Sequence, residues 1–395
     1  MCLSQDYLSK MKSYQKTERV ELVFSGVDYF KVLEKIIDEA REVLHLQTYI
    51  FVVDNTGQKI ITALKRAALR NVKVYMLIDA YGSFPFPKDC VTDLRNSGIF
   101  FRMYSPLFSS ESIYLGRRLH HKIIVADKKT ALTGGINIAD KYSGSNGEKP
   151  WLDYAVKSDG AVCNYLHVLC ESFYHKRSSK ALKLFETSPT QSKDKKEKLI
   201  RYRRNDWIKG KNEIHQSYME AVINAKTSIT IVASYFLPGS AFRKLLKEAA
   251  QNGVQIKIIL AGMSDIPSLR LAEHFLYDFY LKNKIQIYEW KYSVMHGKAM
   301  ICDSQWVTIG SYNLNFLSHY ISIELNSDIV DPTFASMFSE HLRDVINNNC
   351  GEVDLKKTEN KRSLFYRFKQ WIAYHFYKSL MNFMKGGRRY KQRKH

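Results

Sequence analysis

The hydrophobic pattern of the chain predicts alternating helices and strands, and the same plan occurs twice. DEAREVLHLQTYIF (38–51) predicts the end of a helix followed by a strand, and ALKRAALRNVKVYMLID (63–79) an amphipathic helix followed by a buried strand. NAKTSITIVASYF (224–236) and LLKEAAQNGVQIKIILAG (245–262) repeat this plan. A third helix leading into a strand follows in each half. Two copies of one α/β unit are therefore predicted.

A charged segment separates the two copies. It is rich in lysine, arginine, serine and threonine, contains one proline and has few β-branched residues, which is typical of a linker. We therefore predict a first unit over residues 1–176, a basic linker over 177–206, a second unit over 207–355 and a tail over 356–395.

The net charge of +21 is concentrated in two places. Residues 176–211 contain thirteen lysines and arginines against four acids, and residues 361–395 contain eleven and no acid. The remainder is close to neutral, which argues against a basic groove for nucleic acid across the folded units. We expect no nucleic-acid partner.

The cysteines and the apolar runs bear on the compartment. Six cysteines form no CxxC pair, which predicts reduced thiols and no structural zinc. The first twenty residues lack an apolar core, and no stretch of 18 uncharged apolar residues occurs. We expect neither a secretion signal nor a membrane-spanning helix, and a location on the cytoplasmic side.

The tail predicts an amphipathic helix followed by a basic end. Its apolar side chains recur every three or four residues: Leu364, Phe365, Phe368, Trp371, Ile372, Phe376, Leu380 and Phe383. Such a helix either docks on the protein's own core or lies in the plane of an anionic membrane surface. We favour the membrane, because basic residues near an anionic leaflet contribute about 1 kcal/mol each. A chain cut after Asn360 is then expected to leave the membrane fraction.

Two segments carry one polar motif at identical spacing. The first contains His120, Lys122, Asp127 and Asn137, and the second contains His296, Lys298, Asp303 and Asn313. In a strand, alternate side chains share a face, so each histidine points the same way as its lysine. Each aspartate has the opposite parity and is expected to brace the site. Two small residues precede each asparagine, which lets a backbone or an anion approach closely.

Together the two copies would assemble two histidines, two lysines and two asparagines, which suits phosphodiester chemistry without a metal or cofactor. Lysine and asparagine donors can stabilise the charge that develops on the phosphoryl oxygens. One neutral imidazole can attack phosphorus while the other, protonated, gives its proton to the leaving alcohol.

Each histidine also needs a carboxylate on its far nitrogen. Asp153 follows the first motif and Glu324 the second, and each lies in the next strand-like segment. Glu148 is the rival on the first side, since it lies as far from His120 as Glu324 does from His296. The loop-like sequence around Glu148 favours Asp153.

These residues and the strings around them resemble the phospholipase D superfamily, whose signature is a duplicated HxKxxxxD followed by Gly-Gly or Gly-Ser, any residue and Asn. LQTYIFVVDNTG, GGINIADKY, YFLPG and IGSYNLNFLSHYISIELN resemble cardiolipin synthases, and GMSDIPSLRLAEHFLYDFYLKN resembles their soluble B type. The resemblance implies two repeated phospholipase D-like α/β sandwich domains in a pseudo-two-fold arrangement, with one active site at their interface. A monomer then suffices.

The resemblance also implies an activity and roles. A phosphatidyl group would pass from phosphatidylglycerol, or a related donor, to the glycerol of a second phosphatidylglycerol through a phosphohistidine. His120 would be the nucleophile and His296 the acid and base. Two departures concern the choice of head group: Asn315 stands where the family usually has Asp, and Leu152 where Arg is common.

Two alternatives to a transferase stay open. A phospholipase D hydrolase or a metal-independent nuclease would use the same residues and hand the intermediate to water. A catalytically silent membrane scaffold is the second alternative, although no motif residue is missing. His121 is adjacent to His120 but faces the other way, and it is expected to be structural. Seven further histidines lie outside any motif and are also expected to be structural: His45, His167, His175, His215, His274, His319 and His341.

Overall fold

The computed structural model describes residues 13–106, 117–145, 147–177, 180–187, 197–264, 266–315, 318, 322–354 and 363–392. Its helices are α1 Val27–Glu39, α2 Asn55–Leu69, α3 Lys88–Asn96, α4 Asp140–Ser143, α5 Cys163–Tyr174, α6 Lys180–Thr187, α7 Glu213–Asn224, α8 Ser240–Gln251, α9 Pro267–Lys282, α10 Pro332–Asn349 and α11 Leu364–Gln392. The strands of the first half are β1 Gln15–Lys16, β2 Arg19–Phe24, β3 Val43–Thr48, β4 Lys73–Asp79, β5 Phe100–Tyr104, β6 Arg118–Leu119, β7 Lys122–Ala126, β8 Thr130–Gly134 and β9 Tyr154–Asp159. Those of the second half are β10 Leu199–Asp206, β11 Lys211–Asn212, β12 Ser228–Ala233, β13 Gln255–Ala261, β14 Gln286–Trp290, β15 Lys298–Cys302, β16 Trp306–Gly310, β17 Ser322–Val330 and β18 Cys350–Glu352.

The two halves form sheets of the same topology. The first sheet has the strand order β2-β9-β8-β7-β3-β4-β5, and the second contains the equivalent run β10-β17-β16-β15-β12-β13-β14. In both, the last three strands of the run are parallel and the others are antiparallel. The predicted α/β fold built from two copies of one unit is confirmed.

Local sequence explains the central strands and the helix starts. Strand β7, KIIVA, is buried throughout, as expected for a strand covered on both faces. Asp54 begins α2 by accepting a hydrogen bond from the N–H of Gly57. Asp331 begins α10 in the same way, with Pro332 in the first turn.

The core lies in three layers. The outer face of the first sheet packs on α1 and α2, and that of the second sheet packs on α7, α8, α9 and α11. The middle layer draws on both sheets and on α5 and α10. Alternate residues of β7 divide between layers, since Ile123 and Val125 face the middle and Ile124 and Ala126 face outward. The two units therefore share an apolar interface.

Two segments of the structure differ from the linker-and-tail interpretation. Residues 199–206, within the predicted linker, form β10, because Leu199 and Ile200 are buried and the strand pairs with β17. Helix α11 runs antiparallel to α9, because Tyr377 contacts Ser268 and Tyr366 contacts His274. The Tyr374 ring stacks on Phe275 at 4.6 Å. One face of the tail helix thus docks on the protein.

Candidate active site

The two motifs meet in one cavity at the interface of the units. The cavity has a volume of about 360 Å³, and both motif histidines and both motif asparagines line it. Its walls also include Tyr49, Trp151 and Tyr235. The structure therefore brings together the two halves that the sequence separates by 176 residues, from His120 to His296.

The motif aspartates lie in the hairpin turns behind the site and do not line the cavity. The Asp127 carboxylate accepts hydrogen bonds from the backbone N–H groups of residues 41, 42 and 43 at 2.8–3.0 Å. Asp303 accepts from residues 226, 227 and 228 in the same way. Each aspartate therefore ties its motif hairpin to the start of the neighbouring strand, β3 or β12, in agreement with the expected bracing role.

Each histidine is held by the opposite unit. The N–H of His120 donates to the Ile323 carbonyl at 3.0 Å, and its Nδ1 lies 2.8 Å from Glu324 Oε2. The N–H of His296 donates to the Leu152 carbonyl at 2.8 Å, and its Nδ1 lies 2.6 Å from Asp153 Oδ2. Both predicted carboxylates are at the site, but their partners are exchanged.

The expectation that each carboxylate serves the histidine of its own copy is therefore wrong. Residues 118–119 pair in parallel with 322–323, and Leu152 pairs in parallel with Met295, so each carboxylate is carried across the interface. Glu148, the rival on the first side, is exposed in its loop. Both carboxylates that reach a histidine are buried.

Small residues leave room for a carboxylate in the first copy and for the neighbouring strand in the second. A Cβ at Gly135 would overlap the Asp153 carboxylate, and one at Gly310 would overlap the backbone of residues 325–326. The hydroxyl of Ser311 donates to Glu324 Oε2, so the second copy uses its serine where the first has a glycine. This explains the Gly-Gly and Gly-Ser pairs in physical terms.

The two lysines lie buried beneath the histidines. Lys122 Nζ donates to the His120 carbonyl at 2.6 Å, and Lys298 donates to the His296 carbonyl. Burial lowers the pKa of Lys122 to about 7, because removing the ammonium from water disfavours its charge, although Glu324 partly opposes this. An arriving phosphate would supply the counter-charge that restores the proton.

The two histidine–carboxylate pairs differ in their protonation. Burial lowers the pKa of His120, opposed by Glu324, so this ring is neutral at neutral pH. At the other pair, burial and Lys298 lower the pKa of His296, while burial raises the pKa of Asp153 to about 7. Since burial disfavours both charged forms, this pair holds a proton in its short hydrogen bond up to about pH 7.

The asparagines are fixed by local hydrogen bonds. Asn137 accepts from the N–H of Ile50 at 3.2 Å and donates to the Tyr142 hydroxyl at 2.8 Å. The amide oxygen of Asn313 accepts from Ser234 Oγ at 2.9 Å, so its nitrogen is the end that can donate to a substrate.

Sequence reasoning missed the aromatic walls. The Tyr49 ring lies 4.7 Å from the His120 ring, and the Tyr142 and Trp151 rings lie 5.4 and 6.0 Å from that of His296, all between centroids. Lys141 Nζ lies 4.2 Å from the Trp151 ring centroid. Single aromatic residues after a strand give no motif, and only their position next to the histidines reveals them.

The arginines before the first motif do not line the cavity. Arg117 forms two hydrogen bonds with the carboxylate of Asp206, at 2.8 and 3.1 Å. Arg118 is buried, with Nη1 3.6 Å from Asp79. Arg117 thus connects the first unit to β10 of the second sheet, whereas the Arg118 side chain is held within the first unit.

The two departures from the family pattern are at the site. Asn315 lines the cavity and accepts from the N–H of Ser318 at 3.0 Å. Leu152 offers its backbone to the second motif, and its side chain is half-buried. Only Asn315 is thus placed to contact a substrate.

Comparison with known proteins identifies the family. The model of the cardiolipin synthase, PLD-like domain matches residues 33–159 and 218–346, which together exceed half of the chain. Cardiolipin synthase B of Shigella flexneri is 30% identical over 370 residues, covering 92% of this chain and 89% of that protein. A cardiolipin synthase of Clostridium perfringens is 28% identical, covering 91% of this chain and 77% of that protein. The crystal structure of phosphatidylserine synthase from Haemophilus influenzae Rd KW20 has the same fold, with a TM-score of 0.75 at 16% identity, over 95% of this chain and 98% of that one. This chain therefore belongs to the phospholipase D superfamily and, within it, to the cardiolipin synthase family.

Proposed function

We propose that this protein is a cardiolipin synthase-type phosphatidyltransferase that joins two phosphatidylglycerol molecules and releases glycerol. The observation that carries the proposal is the pair of histidines in one cavity, each hydrogen-bonded to a buried carboxylate of the other unit. The names of the similar cardiolipin synthases support the substrate class.

In the first step, the neutral Nε2 of His120 attacks the phosphorus of a phosphatidylglycerol. The P–O bond to glycerol breaks, and the leaving oxygen takes the proton held by the His296–Asp153 pair. Glu324 stabilises the positive charge that develops on His120, and Lys122 and Lys298 offset charge on the phosphoryl oxygens. The products are phosphatidyl-His120 and free glycerol.

In the second step, His296 acts as the base. It removes a proton from a glycerol hydroxyl of a second phosphatidylglycerol, whose oxygen attacks the phosphorus. The P–N bond to His120 breaks, cardiolipin leaves, and the His296–Asp153 pair again holds its proton. The unequal protonation of the two pairs supports this division of roles.

Transfer and hydrolysis differ in which hydroxyl reaches the phosphohistidine. The cavity walls include Tyr49, Trp151, Tyr235, Ile266 and Leu269, which favour an amphiphilic acceptor over water. This lining supports transfer over the phospholipase D alternative.

The test is incubation of the purified protein with phosphatidylglycerol vesicles, with and without EDTA, followed by mass spectrometry of the lipids. We expect equal amounts of cardiolipin and glycerol, unaffected by EDTA, and no product from His296→Ala. Phosphatidic acid as the main product would establish the hydrolase instead. Cleavage of labelled DNA or RNA without metal, and no lipid product, would establish the nuclease.

The basic linker gives the nuclease little support. Arg201 in β10 is buried with its Nε 2.9 Å from Asp328 and its guanidinium 4.3 Å from the Tyr14 ring. Arg204 in the same strand is also buried. Part of the linker charge is thus internal and does not face a nucleic acid.

We also propose that helix α11 binds an anionic membrane surface. The face that docks on α9 includes Tyr366, Gln370, Tyr374 and Tyr377, and the opposite face exposes six apolar side chains: Leu364, Phe365, Phe368, Trp371, Ile372 and Phe376. Phe365, for example, is 65% exposed. Such a row is costly in water, and fully burying one such side chain in an apolar phase contributes about 1.5–3 kcal/mol.

The position of α11 links the membrane to catalysis. Tyr377 is hydrogen-bonded to Ser268 at the start of α9 at 2.8 Å, and the neighbouring Ile266 and Leu269 line the cavity. The backbone of α11 continues beyond this contact to Gln392.

No described helix is both long and apolar enough to cross a bilayer. The five cysteines in the described part of the chain are free thiols, which supports a location of the protein on the cytoplasmic side of the membrane.

Because one face of α11 docks on the protein, point variants test this proposal better than a truncation does. Cutting the chain after Asn360, which itself lies outside the described residues, would expose the core contacts of Tyr374, so point variants are cleaner. We expect Phe368→Glu with Trp371→Glu to abolish sedimentation with phosphatidylglycerol vesicles. Leu69→Glu, on α2 and 82% exposed, is the matched control and should bind normally. Equal binding by both variants would contradict the proposal.

A further inference from the structure

Three side chains that can act as metal ligands meet on the first sheet, away from the catalytic cavity. His45 lies in β3, and His167 and Glu171 lie one turn apart in α5, which crosses that strand. One nitrogen or oxygen of each lies within 4.8 Å of the others. None of the three lines the catalytic cavity.

Among the described residues, the ring of His45 has no hydrogen bond to explain its burial. The residue is fully buried, and neither ring nitrogen has a partner within the described residues. The Nδ1 atom of His167 is likewise buried without a partner there. A buried imidazole ordinarily donates through one nitrogen and accepts through the other, so the His45 ring, which does neither, needs an explanation.

We propose that His45, His167 and Glu171 form a binding site for a divalent transition metal ion of the zinc class. Two imidazoles and one carboxylate form a ligand set suited to zinc, and a tetrahedral ion would take its fourth ligand from water. The site would be structural, which departs from the expectation of no structural zinc that the cysteine pattern gave, and it takes no part in phosphatidyl transfer.

The ligand atoms lie within 4.8 Å of one another and must move closer together to hold an ion. Ligands about 2.0–2.1 Å from a tetrahedral ion lie roughly 3.3 Å from one another. His167 Nε2 is already 3.6 Å from Glu171 Oε1. The Glu171 side chain is 47% exposed, so it can change rotamer and gives the ion a path from solvent.

The surroundings hold the two imidazoles in place. The Tyr75 ring stacks on His45 at 5.0 Å, and the His45 and His167 rings lie edge to face at 4.9 Å. Gln47, two residues along β3 from His45, donates to the Cys170 carbonyl of α5 at 2.8 Å. A bound ion would add a second tie between the same strand and helix.

The test uses the full chain, freed of metal with a chelator and dialysed. Zn²⁺ is titrated by calorimetry, and Co²⁺ replaces it to give a visible absorption band that reports tetrahedral coordination. The variant is His167→Gln with Glu171→Gln, which leaves the buried His45 in place. His296→Ala is the control, because it removes an active-site imidazole and keeps the proposed cluster.

We expect one Zn²⁺ per chain for the wild type and for His296→Ala, with a rise in Tm on adding Zn²⁺, because an ion that binds only the folded state stabilises it. The double variant should lose the stoichiometric ion, the cobalt band and the rise in Tm. Should the double variant fail to fold, Glu171→Gln alone should bind Zn²⁺ at least about tenfold more weakly. No saturable binding by the wild type, or unchanged binding by a folded cluster variant, would overturn the proposal.

Discussion

Glu324→Gln tests the exchanged carboxylates directly. Glu324 Oε2 accepts from both His120 Nδ1 and Ser311 Oγ, whereas its Oε1 has no partner among the described residues. A glutamine can keep its oxygen at the Oε2 position, so it removes the charge and places its NH2 group at the Oε1 position. The variant therefore removes the charge that stabilises the developing imidazolium and preserves the orientation of the ring.

The expected loss follows from the hydrogen bond. A bond to a charged group contributes about 1.5–3 kcal/mol. The variant keeps a bond between neutral groups, which contributes about 0.5–1.5 kcal/mol, so about 1–1.5 kcal/mol is lost. Since about 1.4 kcal/mol corresponds to tenfold in rate, kcat should fall about 5- to 13-fold. Glu324→Leu loses the orientation as well and should fall at least about tenfold further. The Tm of Glu324→Gln should stay near that of the wild type, because the lost buried charge was costly to desolvate.

The roles of the two histidines can be distinguished with substrates that differ in their leaving group. A phosphodiester of nitrophenol needs no general acid, whereas phosphatidylglycerol does. Asp153→Asn, which weakens the proposed acid, should therefore recover activity on the nitrophenyl ester, and Glu324→Gln should not. A Glu324→Gln protein that retains kcat within about threefold would contradict the role given to Glu324. A reversed rescue, in which only Glu324→Gln recovers activity, would contradict His120 as the nucleophile.

Three other variants test neighbouring features. The buried ammonium of Lys122 has a pKa of about 7 and acts only when protonated, so kcat/KM should fall as pH rises above about 7. Because the His296–Asp153 pair loses its proton in the same range, the pH–rate profile should fall with the loss of about two protons, and Lys122→Arg should reduce this to about one. Gly135→Ala would displace the Asp153 carboxylate and should lower kcat by about 10–100-fold, whereas Gly239→Ala, where a methyl group meets nothing within 4 Å, should match the wild type. Burial raises the pKa of Asp303, but backbone N–H donors outweigh burial and hold this pKa below its usual value. The ionised Asp303 therefore stabilises the fold above about pH 4, and this stabilisation is lost in acid. Asp303→Asn should lower the free energy of unfolding by about 1–2 kcal/mol in urea titrations at pH 7, with little change in kcat.

Features that depend only on residues close together in the chain could be predicted from the sequence. The repeated helix-and-strand plan predicted two equivalent sheets, because the apolar periods of 3.6 and 2 are local properties. Strand parity predicted that Asp127 and Asp303 lie off the catalytic face, and they are found in the turns behind it. The tail periodicity predicted a helix, although its docking on α9 needed the partner surface.

The sequence by itself determined which groups this protein has and how they are spaced within each copy. Only the tertiary structure decided which copy each group serves. Asp153 reaches His296 and Glu324 reaches His120, because residues 118–119 and Leu152 pair across the unit interface and carry the neighbouring carboxylate with them. Spacing along one chain contains no information about such pairing, since contacts across an interface depend on how two finished surfaces fit. For the same reason His45 looked like an ordinary core residue until the fold placed α5 over it.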